Sequence, residues 1–139
     1  MRRLSLIGAI GLLLLSVSTT FAASGNSVWQ AKVQVGTVTG GATLAETANG
    51  KAASVAVKLY RVKPATTVTV SLNDGACRST TAIASRLTFK APSAGPSVHR
   101  FWLTKAELAI LKTDIGKKDA FSVTITSNLQ TSCTNLTLR

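Results

Sequence analysis

The side chains able to do chemistry are few. The chain holds one histidine, His99, two cysteines, Cys77 and Cys133, and five carboxylates, Glu46, Asp74, Glu107, Asp114 and Asp119. A zinc or copper centre takes three or four ligands from histidine, cysteine and carboxylate. One histidine and two distant cysteines do not supply them, so neither a metal nor a cofactor is expected. A Ser-His-Asp triad would have His99 as its base, and no G-x-S-x-G segment singles out a nucleophile. The carboxylates have local roles instead of a catalytic pairing. Glu107 follows Thr104 by three residues, Asp74 precedes Gly75, Asp114 and Asp119 flank Gly116-Lys117-Lys118, and Glu46 lies near Asn49-Gly50. No glycine-rich loop runs into Lys-Ser/Thr to cradle a phosphate. The leading expectation is therefore a noncatalytic protein, with a small hydrolase using His99 as the alternative.

Charge is the more informative feature. Against the five acids stand 16 Lys and Arg, for a formal net charge of +11. Such a balance raises the local concentration of anionic partners: lipid headgroups, envelope polymers or nucleic acid. Lys58, Arg61 and Lys63 lie close together and are the first candidates for anion contact, followed by Lys117 and Lys118. Specific nucleic-acid binding needs aromatic platforms beside the cations. Aromatic residues are 5% of the chain, and this class of partner is not expected.

The first residues read as an address. Arg2 and Arg3 precede an apolar run from Leu4 to Val17, and Thr20-Phe21-Ala22 supplies small residues for cleavage after Ala22. The run of about 14 residues is short of the roughly 20 that span a bilayer. Residues 1–22 are thus expected to be a signal peptide and residues 23–139 a secreted or periplasmic domain. That domain carries 14 basic and five acidic side chains in 117 residues. An even pair of cysteines in an exported chain reads as one disulfide, Cys77–Cys133. Asn135-Leu136-Thr137 matches a glycosylation sequon, usable only in a eukaryotic secretory route; the short Arg-Arg signal reads as bacterial, so Asn135 is expected to stay unmodified.

Alternation dominates the rest. Trp29, Ala31, Val33 and Val35 alternate with Gln30, Lys32 and Gln34, and the same period runs through 54–60, 67–72 and 121–126. Each segment is a strand with one buried and one wet face. Weaker strands are expected around 83–89, 98–103 and 136–138. Gly40-Gly41, Asn49-Gly50 and Asn73-Asp74-Gly75 read as turns, and Pro64 and Pro92 to Pro96 as loops. Thr104-Lys105-Ala106-Glu107 is a capping box, with a short helix over 105–112 and Gly116 as its stop. About seven strands with short turns predict an all-β sandwich or barrel, and the leading expectation is a single Greek-key-like β-sandwich carrying one helix.

The segment from Ser54 to Cys77 resembles the Cu,Zn superoxide dismutase-like β-sandwiches. Val62-Lys63-Pro64-Ala65 is similar to the family's Pro corner, Asn73-Asp74-Gly75-Ala76-Cys77 to its cysteine-bearing loop, and Thr131-Ser132-Cys133-Thr134-Asn135-Leu136 to the region of its second cysteine. The resemblance implies a sandwich with a loop-to-last-strand disulfide. It carries no chemistry, because Val70 and Leu72 stand where the family's active members have His-x-His. A pilus-type or adhesin-type subunit is a further exported, one-disulfide alternative. It would need an unpaired strand groove or a donor extension, and 23–27 is too short to donate a strand.

Overall fold

The computed structural model describes residues 27–78, 81–117 and 120–139. The expected signal peptide and Lys118 lie outside the described residues. Among the described residues, eight strands and one helix follow in chain order: β1 (Val28–Val35), β2 (Val38–Glu46), β3 (Ala53–Tyr60), β4 (Thr67–Asp74), β5 (Thr81–Lys90), β6 (Ser97–Trp102), α1 (Lys105–Lys117), β7 (Phe121–Ser127) and β8 (Gln130–Leu138). The strands form one sheet in the order β5-β4-β7-β8-β1-β2-β3-β6, and all the neighbouring pairs are antiparallel.

The all-β expectation holds, and the layering differs from it. β8 pairs with β7 from Gln130 to Leu136 and then with β1 through Thr137 and Leu138. Because one strand hydrogen-bonds both halves, they form a single sheet, curled into a half-barrel, and not two facing layers. Its inward rows are the apolar members of each alternation: Leu44, Val55, Leu59, Val70, Leu72 and Val123 are all fully buried or within 1% of it. Val70 and Leu72 are therefore core residues. Trp29 meets Phe121 edge to face at 5.5 Å, an arrangement that the ring quadrupoles favour.

Two turn expectations are corrected. Gly40 and Gly41 sit inside β2, opposite Val33 and Lys32 of β1. Gly40 is there because the β3 backbone crowds it: a Cβ would overlap the Lys58 carbonyl and come within 3.0 Å of Leu59 Cα. Asn73 and Asp74 belong to β4, and the chain turns at Gly75, with φ of 91°. The Asn49-Gly50 hairpin is present, with Gly50 at φ 62° and Lys51 N donating to Asn49 Oδ1 at 3.0 Å.

The capping box forms as the sequence requires: Thr104 N donates to Glu107 Oε2 at 2.7 Å and Glu107 N to Thr104 Oγ1 at 3.3 Å. The helix runs on past 112, through Gly116. Leu111 is fully buried and Leu108 and Ile115 pack on the core; this burial outweighs the roughly 1 kcal/mol that glycine costs a helix. Cys77 and Cys133 are bonded, with Cα atoms 5.6 Å apart, tying the loop after β4 to β8.

Candidate functional site

The outward side chains of β1, β2, β3 and β6 lie in lateral rows set by strand register. One row is Lys32, Gly41, Lys58 and Val98. The next is Gln30, Thr43, Ala56 and Arg100, and the third is Val28, Ala45, Ser54 and Trp102. Neighbouring strands are about 4.8 Å apart, so Lys32 and Lys58 stand roughly 10 Å from each other across a glycine. Lys32, Lys58 and Arg100 are exposed, and Trp102 is 52% exposed.

Small residues in the middle of these rows leave a trough. A depression of about 420 Å³ lies over Thr43, Ser54 and Ala56, between Gln30 on one side and Arg100 and Trp102 on the other. A second, of about 520 Å³, continues it over Gly41 toward Lys32 and Arg139. Gln30 and Thr43 line both. Among the described residues no carboxylate side chain stands in the three rows; Glu46, which ends β2, is one of the residues lining the first depression.

The anion candidates drawn from the sequence do not form one patch. Lys58 points outward on β3, with its ammonium 5.4 Å from the Tyr60 ring centroid. Arg61 and Lys63 follow in the loop beyond β3, exposed, at the end of the half-barrel where β1 turns into β2. Lys63 lines a separate hollow there with Gly36 and Gln130. Lys117 is at the other end, closing α1, 3.8 Å from the buried Asp114 carboxylate. Lys32 and Arg100 complete the face around Lys58. Alternation marks Lys32 as outward, but nothing local says that it stands two strands from Lys58.

His99 faces inward from β6 and stacks on Phe89 of β5, with centroids 3.7 Å apart and planes 19° apart. This contact joins the two ends of the sheet, β5 and β6, which share no backbone hydrogen bond among the described residues. The buried hydroxyl of Ser97 has no partner, and none of the described hydroxyls or carboxylates hydrogen-bonds the His99 ring. No three of the described His, Cys, Asp and Glu residues come together as metal ligands. No helix among the described residues is long and apolar enough to cross a membrane.

No protein-family model, curated protein or solved structure matches the chain.

Proposed function

We propose that the protein is an exported, noncatalytic binding module that associates with an anionic polymer through the outer face of β1, β2, β3 and β6. The observation that carries this reading is the row Lys32–Gly41–Lys58 with Arg100 beside it: three exposed cations around a floor of small side chains. Like charges so placed repel one another, and an anion bound between them relieves that repulsion. Export is supported by the basic, apolar start of the sequence and agrees with the Cys77–Cys133 disulfide. The test is binding of the mature protein to anionic and neutral polymers at two salt concentrations. Binding to the anionic polymer should fall steeply as the Debye length shrinks from ~10 Å at 0.1 M to ~3 Å at 1 M. The double variant Lys32→Gln, Lys58→Gln should flatten that dependence. Equal binding to neutral and anionic polymers would refute the reading.

A strand-accepting subunit is the second reading, favoured by the two edge strands that meet without backbone hydrogen bonds. The Phe89–His99 stack occupies the seam that an added strand would have to enter.

A further inference from the structure

We infer that the depression beside Trp102 is a subsite for a carboxylated sugar, so that the polymer recognised by this face is an acidic glycan of the uronic-acid type. This rests on the proposed anion-binding role of the face and specifies its ligand. Three features distinguish a sugar from other anions.

The first is the platform. Trp102 is half exposed at the open edge of the sheet, on the outward side of β6. A large ring there presents an apolar surface against which the C–H face of a pyranose can pack, with water displaced from both. The second is the cation beside it. Arg100 is two residues away on the same strand, hence on the same face, and its planar fork matches a carboxylate with two parallel hydrogen bonds. The third is the floor. Among the described residues the side chains of Gln30 and Thr43 make no hydrogen bond within the protein, and both border the depression. Their amide and hydroxyl groups can each donate and accept, which suits the hydroxyl groups of a sugar, whereas an inorganic polyphosphate chain can only accept.

The trough also has a polymer's dimensions. From Trp102 on β6 to Arg139 beyond β8 it crosses four strand spacings, about 19 Å. Its far end is again cationic, at Lys32 and Arg139, so a chain bearing a negative charge on successive units meets a positive group at both ends. The other anionic partners fit less well. A flat bilayer touches what protrudes, and here the polar floor is recessed. A single-stranded nucleic acid gains its sequence-tolerant affinity from several stacked bases, and this face offers one ring in the trough, Trp102, and one outside it, Tyr60, which the Lys58 ammonium already covers.

The experiment measures affinity of the mature protein, at low salt, for oligogalacturonate, polyphosphate of matched charge, single-stranded DNA and phosphatidylglycerol vesicles. Trp29 is buried and Trp102 exposed, so a ligand-dependent change in tryptophan emission that Trp102→Phe removes reports the platform. The expected result is tightest binding to oligogalacturonate. Trp102→Ala should weaken that binding by about tenfold, from loss of the apolar contact, and polyphosphate binding by less than about twofold. Trp102→Phe should retain most of the affinity, and an unchanged circular dichroism spectrum would show each variant folded. Equal losses for both polymers, no emission change, or tighter binding to DNA or vesicles would overturn the sugar assignment while leaving an anion-binding face. Failure of every anionic probe to bind the wild type would overturn both.

Discussion

The two halves of the curled sheet use their outer faces in opposite ways. On β5, β4, β7 and β8 the register aligns Thr88, Thr69, Thr126 and Thr131 in one row. These hydroxyls bond each other: Thr69 with Thr88 at 3.4 Å and Thr126 with Thr131 at 2.9 Å. The neighbouring Ser71 and Ser85 do the same at 2.7 Å, and Asn73 Nδ2 donates to Thr124 Oγ1 at 2.9 Å. The disulfide adds a covalent tie on this half. On β1, β2, β3 and β6 the outer face has cations and small residues, Lys58 lies over the Tyr60 ring, and among the described residues the side chains of Gln30 and Thr43 make no hydrogen bond within the protein. Cross-strand polar pairs contribute to holding a sheet together; polar groups left without internal partners are available to a ligand. Stability and binding are thus expected to separate by half.

The strongest way to break that separation is at the disulfide. It closes a separation of 56 residues, and in the chain-entropy account removing such a link costs about 4 kcal/mol. Urea denaturation of the Cys77→Ser, Cys133→Ser variant should show a loss of that order. Its affinity for the anionic polymer, measured where it is still folded, should be unchanged. A binding loss matching the stability loss would mean that the halves are not independent.

A smaller effect contrasts two adjacent glycines within the half proposed to bind. Gly40→Ala places a methyl group against the β3 backbone, and should destabilise by about 1–3 kcal/mol, as overpacking does. Gly41→Ala meets only the Ala31 carbonyl, at 3.5 Å. It should leave the thermal midpoint nearly unchanged while raising the floor of the trough. Similar midpoint shifts for the two variants would contradict the register that places Gly40 inward and Gly41 outward.

The smallest effects complete the comparison with one polar side chain from each half. Asn73 is buried, and Asn73→Ala should cost about 1–2 kcal/mol through its lost hydrogen bonds and leave affinity intact. Lys32→Gln should change stability by less than about 0.5 kcal/mol, as exposed substitutions do, and should weaken polymer binding and lower its salt dependence. The reverse pattern, in which Lys32 carries stability and Asn73 affinity, would exchange the roles assigned to the two halves.

Much of this protein is settled by neighbours in the chain. The period of two in 29–35, 54–60, 67–72 and 121–126 determines which side chains face the core, because successive residues of a strand point to opposite sides. Thr104 and Glu107 set the start of α1 because a capping box is a contact across three residues. An even cysteine count in a chain expected to be exported was enough to pair Cys77 with Cys133. What sequence could not supply is which strands lie side by side. Backbone hydrogen bonding between strands is indifferent to separation along the chain, so alternation gives Lys32 and Lys58 an outward direction and leaves their distance open. The same indifference hid β2, whose Gly40-Gly41 is turn chemistry by composition. It is strand here because both glycines pair with β1 and β3, and Gly40 is glycine because the β3 backbone leaves no room for a Cβ. It also hid the single curled sheet, since only tertiary pairing lets β8 bond both β7 and β1. Tertiary structure therefore decided the candidate site: Lys32, Lys58, Arg100 and Trp102 lie on β1, β3 and β6, and the pairing of β1 and β3 with β2 and of β3 with β6 makes them one face.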